Sequence, residues 1–150
     1  MNNREERFAV RFNTDQNVDL VEMKPDQSLL DFCYSAIGCD YIETVRAQYL
    51  EQPYILIIDE EGHLQDKPVV NFIASYLYGA HEHLEPIVGN ALVLKLGMTS
   101  EGLDILPLDE VEARQVEESM KKISHVAYRK VLTAFRSVFV GEVEKEADNE

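Results

Sequence analysis

Basic residues are scarce in this chain: 14 Lys and Arg stand against 28 Asp and Glu in 150 residues, a formal net charge of −14. Such a field repels phosphate backbones, so direct nucleic-acid binding is disfavoured. Cysteine is scarcer still. Cys33 and Cys39 are the two present, and their spacing matches neither a zinc nor a redox motif. Two small, inert, reduced thiols are expected. Long apolar runs are also missing. The opening MNNREERFAVRF holds no apolar stretch of signal-peptide length, and no segment approaches the ~20 apolar residues of a membrane span. Together these absences give the expectation of a cytoplasmic protein with no membrane partner.

Catalytic signatures are absent as well. The chain has no nucleophile-elbow motif and no phosphate-cradling Gly-Lys-Ser/Thr loop. DEEG (59–62) stacks three carboxylates before a glycine, but acids do not alternate around Gly62 as a calcium loop requires. It reads as a hairpin turn leading to a short return strand. His81-Glu82-His83 is the most metal-like triplet, yet it falls in an expected loop between Gly79 and Pro86 with no second ligand cluster. No catalytic residue, metal ligand set or cofactor is therefore assigned.

What the chain does contain is enough apolar residue, 45%, to build a core; a fold of this length hides roughly 70% of the unfolded surface. FAVRF (8–12), a turn at 13–17 and VDLVEMK read as a hairpin over 6–24. A helix follows, with Asp26 as the expected N-cap, Leu29, Leu30, Cys33 and Ile37 as its apolar stripe, and Gly38 as its stop. YIETVRA (41–47) and YILII (54–58) read as strands, and a second short helix begins after Pro68.

YILII and ALVLKL (91–96) are apolar on both sides, the mark of interior strands in a sheet covered on both faces. After a loop with Gly97, Gly102 and Pro107, an amphipathic helix starts near Asp109, with Val116, Met120, Ile123, Ala127, Val131, Ala134 and Val138 at helical spacing. Its acids crowd the first turns and its bases the remainder, which complements the helix dipole. At this length it either breaks near Ser119–Ser124 or projects. The expected fold is α+β: a mixed or antiparallel sheet, two short helices on one face, and a long C-terminal amphipathic helix on the other face or in a dimer. Residues 1–100 form the core, 101–140 the helical extension, and 141–150 a disordered acidic tail.

Two sets of residues stand out as binding candidates. Asn71, Ser75 and Tyr78 recur at i, i+4 and i+7, so their polar ends line up, and Asn90 interrupts an otherwise apolar strand. Along the C-terminal helix, Lys121, Lys122, Arg129 and Lys130 form a basic face suited to a partner.

The order GCDYIETV (38–45), IIDEEGHL (57–64), PVVN with Ala74 and Leu77 following, and PIVGNA (86–91) resembles the domain of unknown function 3846 family. The resemblance covers about residues 18–96. It implies a small protein of bacteriophages, plasmids and conjugative elements, and no assigned activity. Three readings follow. One is a non-enzymatic accessory protein that binds a host protein, such as a defence component. Another is a binder that sequesters a small ligand such as a nucleotide signal. The last is an acidic mimic of nucleic acid, ranked behind the others because the acids are dispersed and interrupted by the basic run 121–136.

Overall fold

The computed structural model describes residues 6–148, with side chains described as far as Arg136. In chain order the elements are β1 (Phe8–Phe12), β2 (Val18–Glu22), α1 (Leu29–Ile37), β3 (Ile42–Val45), β4 (Tyr54–Asp59), α2 (Phe72–Tyr78), α3 (Ala80–His83), β5 (Ala91–Thr99), β6 (Gly102–Leu106) and α4 (Glu110–Asp148). The strands form one sheet in the order β2-β1-β5-β4-β3, every pairing antiparallel. β6 pairs with the later half of β5, on the edge that β1 occupies higher up.

Parity along the central strands decides the layering. Leu56 and Ile58 of β4, with Ala91 and Val93 of β5, join Phe12 in one core with Ile73 and Leu77 of α2 and Ala113, Val116 and Ala127 of α4. Ile55 and Ile57, with Leu92 and Leu94, face the other way and meet Phe32, Cys33, Ala36 and Ile37 of α1. Because side chains alternate on a strand, each central strand feeds both cores. The fold is α+β, as its sequence indicates.

The placement of the helices differs from the sequence reading in one respect. The two short helices lie on opposite faces: α1 alone covers one, and α2 shares the other with α4. Helical periodicity identifies the apolar stripe of α1 but not the sheet face that receives it. Topology settles that question, since α1 must carry the chain from β2 at one sheet edge to β3 at the other.

Local signals explain the element ends. Ser28, rather than Asp26, caps α1, its hydroxyl accepting from the Asp31 amide at 3.1 Å, and Gly38 ends the helix at φ +82°. Asp109 and Glu112 form a reciprocal capping box at the start of α4: Asp109 Oδ1 accepts from the Glu112 amide at 2.8 Å, and Glu112 Oε1 from the Asp109 amide at 3.4 Å.

The stretch after DEEG is a 3₁₀ turn, Gly62–Leu64, instead of a return strand. A Cβ at Gly62 would lie 2.6 Å from the Val88 carbonyl oxygen, so backbone passes backbone there. The His81–His83 triplet belongs to α3, not a loop.

Residues 97–107 also differ from the expected loop. β5 continues through Gly97 to Thr99, turns, and pairs back through β6. Gly97 lies beneath the Leu106 side chain, whose Cδ1 is 2.5 Å from where a Cβ would stand, so a larger residue there would make Leu106 shift. The sheet therefore extends past residue 100, and Leu108 closes onto Phe8 by paired backbone hydrogen bonds of 2.8 Å.

α4 is unbroken through 119–124. Its 39 residues span about 58 Å at ~1.5 Å each. The segregated charges pair along the helix: Arg114 with Glu110 at 2.8 Å, Lys121 with Glu117 at 3.4 Å and Lys122 with Glu118 at 3.5 Å. Each such pair contributes a few tenths of a kcal/mol. The side chain of Val138 and those of the expected tail, 141–150, lie outside the described residues.

Candidate functional site

Of the polar line Asn71, Ser75 and Tyr78, the first two do not face solvent. Asn71 is the N-cap of α2 and is 1% exposed. Its amide donates to the carbonyls of Phe12 at 2.8 Å and Gly89 at 2.9 Å, while its Oδ1 accepts from the Ala74 amide at 3.1 Å. Ser75 is fully buried and exchanges hydrogen bonds with the backbone of Ile87. Tyr78 is half-buried, edge-on to His83 at 4.8 Å between ring centres. Asn90 accepts from the Thr14 amide at 3.0 Å and donates to the Ile37 carbonyl at 3.4 Å. Burial takes Asn71 and Ser75 away from any surface ligand. A buried amide must find partners, and here the partners are turns of the chain itself.

The basic set on α4 divides in two. Lys121 and Lys122 turn back to Glu117 and Glu118. Arg129 and Lys130 are exposed, have no ion pair among the described residues, and line a shallow cavity of ≈ 540 Å³ with His81 of α3. His81 stacks on Tyr76 at 5.0 Å and meets the tilted ring of Tyr49 at 5.3 Å, and its buried Nδ1 has no hydrogen-bond partner among the described residues. Tyr49 in turn donates its hydroxyl to Glu82, whose other oxygen accepts from Gln48. That hydrogen bond raises the tyrosine pKa and lowers that of the carboxyl, so the proton stays on Tyr49.

The two thiols lie in the α1 core. Burial pushes Cys33 up to about 11, with Cys39 adding to it, and burial followed by the Asp59 charge pushes Cys39 to about 11 as well. Neither is poised as a nucleophile, which needs the thiolate. Among the described residues, no group of three or more His, Cys, Asp or Glu could hold a metal ion.

A different surface draws together residues that periodicity alone did not single out. On the α1 side of the sheet, Leu96 stands opposite Ile105 and Met98 opposite Leu103. Leu96 and Ile105 pack against the α1 core, and Met98 continues the same face two residues on. α1 does not reach this far. Met98 is 76% exposed, Leu103 66% and Leu30 of α1 51%. Two open cavities flank this ladder. One of ≈ 880 Å³ is lined by Leu29, Leu30, Cys33, Ile57 and Ile105, and one of ≈ 1030 Å³ by Arg46, Ile55, Leu96 and Leu103. Ile55 and Ile57 are successive side chains on one face of β4, and Leu96 is the cross-strand neighbour of Ile105, so the cavities abut.

The signal for this face was present in the sequence. Leu94, Leu96 and Met98 keep a two-residue period straight through Gly97, and GLDIL repeats it after the turn.

The fold and this open apolar face define a small α+β sheet domain with one face closed and the other half covered. The model of the family described as a domain of unknown function, DUF3846, matches residues 7–121, more than half of the chain. The chain belongs to that family. The match extends beyond residues 18–96 to take in β1, β6 and the start of α4. Neither a curated protein nor a solved structure matches the chain. No helix among the described residues is long and apolar enough to cross a membrane.

Proposed function

We propose that this chain acts by binding another protein through the α1 side of its sheet. In the setting the family resemblance suggests, that makes it an accessory protein of a phage or mobile element that restrains a host protein. The observation that carries this reading is the cross-strand pair Met98 and Leu103, at 76% and 66% exposure, set in a contiguous apolar face. Scattered apolar residues on a surface are ordinary; contiguous apolar patches mark interaction sites. Binding is favoured over catalysis because both thiols are held near 11 and the buried polar side chains Asn71 and Ser75 are spent on internal hydrogen bonds. The test is affinity capture from host lysate with the wild-type chain and with a Met98→Asp/Leu103→Asp variant. A stoichiometric partner held by the former and lost by the latter is expected. Equal capture by both removes the face from the mechanism.

A second reading rests on the cavity lined by His81, Arg129 and Lys130, where two cations with no ion pair among the described residues stand in an otherwise acidic protein. It suits an anionic small ligand such as a nucleotide. Thermal-shift measurement with nucleotides decides it, since a ligand at a hundred times its Kd adds about 2.7 kcal/mol of stability.

A further inference from the structure

We infer that the cavity between α3 and α4 receives a phosphate monoester, recognised by its doubly charged oxyanion and not by a nucleobase. This rests on the anionic-ligand reading and names the group that is bound. Charge comes first. Arg11, Lys95, Arg114, Lys121 and Lys122 each hold an acid of the chain. Arg129 and Lys130 hold none among the described residues, and as neighbours on α4 they line one cavity of ≈ 540 Å³. No Asp or Glu occurs between Glu118 and Glu142, so their own helix offers no counter-charge within a turn. Two adjacent positive charges repel, and a dianion bound between them relieves that repulsion. The acid beside His81 is Glu82, whose two oxygens already accept from Tyr49 and Gln48.

Unspent donors stand at the same cavity. The His81 side chain is 13% exposed, yet neither ring nitrogen makes a hydrogen bond among the described residues: Nδ1 is buried without a partner, and Nε2 stands 3.8 Å from Glu82. A buried N–H without an acceptor is rarer than an acceptor without a donor, which places the proton of the neutral ring on Nε2. Thr133, one turn beyond Arg129, adds a hydroxyl to the lining. Asn71, Ser75 and Asn90 differ from this set, since their polar atoms are taken up inside the fold.

The lining selects the ligand group. Arginine meets phosphate oxygens through two parallel N–H bonds, and lysine meets them as a point charge. A phosphate monoester carries about −1.5 to −2 near neutral pH, which matches two cations; a diester carries one charge. A base would need a free aromatic face or an amide edge. His81 is the one ring in the lining, and it is already packed on Tyr76 and Tyr49. The remaining walls are Val126 and Ala134, and no Asn or Gln lines the cavity.

The experiment is isothermal titration calorimetry of the full chain at fixed ionic strength and about pH 8, above the monoester's second pKa of ~6. The probes are methyl phosphate, dimethyl phosphate, AMP and adenosine. Methyl phosphate and AMP are expected to bind with similar affinity, dimethyl phosphate at least about tenfold more weakly, and adenosine not at all. Arg129→Gln/Lys130→Gln is expected to weaken methyl phosphate at least about tenfold. Lys24→Gln/Lys67→Gln removes the same charge from exposed positions outside the cavity and is expected to leave binding unchanged. Circular dichroism checks both variants, whose altered side chains are exposed. Equal binding of methyl and dimethyl phosphate overturns the inference, as does binding of adenosine. Equal weakening by the two double variants overturns it too, because the attraction is then to net charge. AMP binding without methyl phosphate binding leaves the nucleotide reading standing and overturns the phosphate assignment. Binding of neither removes both.

Discussion

Asn71 shows how one side chain can hold three segments together. From the start of α2 it bonds the end of β1, the turn before β5 and its own first helical turn, with almost no exposure. Asn71→Ala removes the side-chain hydrogen bonds to the buried Phe12 carbonyl, the part-buried Gly89 carbonyl and the Ala74 amide, a loss of about 2–4 kcal/mol. Asn71→Asp keeps the capping oxygen but sets a buried carboxylate oxygen against two carbonyl oxygens, so it is expected to cost more. Urea unfolding with an unchanged slope measures both, and a loss below about 1 kcal/mol for Asn71→Ala refutes the assignment.

The thiols make a second prediction at this scale. With pKa values near 11, Cys33 and Cys39 react slowly with thiol reagents in the folded protein and quickly in urea. An unfolded thiol ionises near 9.0, below the folded value, so unfolding releases protons between 9.0 and about 11. Stability is therefore whole below 9.0 and falls as pH rises across that window. Urea midpoints on either side of 9.0 should show the fall, and Cys33→Ala should lessen it.

Among the elements, α4 and the β5–β6 hairpin were read least completely from sequence. α4 was legible in its apolar spacing and its start near Asp109, because both are local. Its destination was not: Ala113 and Ala127 are buried because those small side chains let the helix approach the sheet and α2. The hairpin was hidden by Gly97 and Gly102, which read as loop residues. Gly97 is a strand residue under Leu106, and Gly102 takes φ +110° to close the turn from Thr99. Since α4 covers Leu56 and Val93, a chain ending at Leu108 is expected to lose its cooperative thermal transition. Near-ultraviolet dichroism during melting checks this; a sharp transition would mean that residues up to 108 stand alone as a domain.

At the scale of the molecule, charge and coverage are distributed unevenly. One sheet face is sealed by two helices, and the other is left apolar beyond the reach of α1. A chain of charge −14 is expected to be monomeric at 17.2 kDa in light scattering, because its copies repel one another. Of the binding candidates, Asn71 and Ser75 are consumed by internal hydrogen bonds, while Arg129 and Lys130 line one cavity and Lys121 another. The sequence by itself determined the first five strands, the helix stripes and the acidic field, since each depends on residues close in the chain or on composition alone. Only the tertiary structure decided which face each helix covers, which polar groups are consumed by burial, and that Met98 and Leu103 remain exposed. Those outcomes depend on sheet order and strand pairing between residues distant in sequence, which periodicity along the chain cannot record.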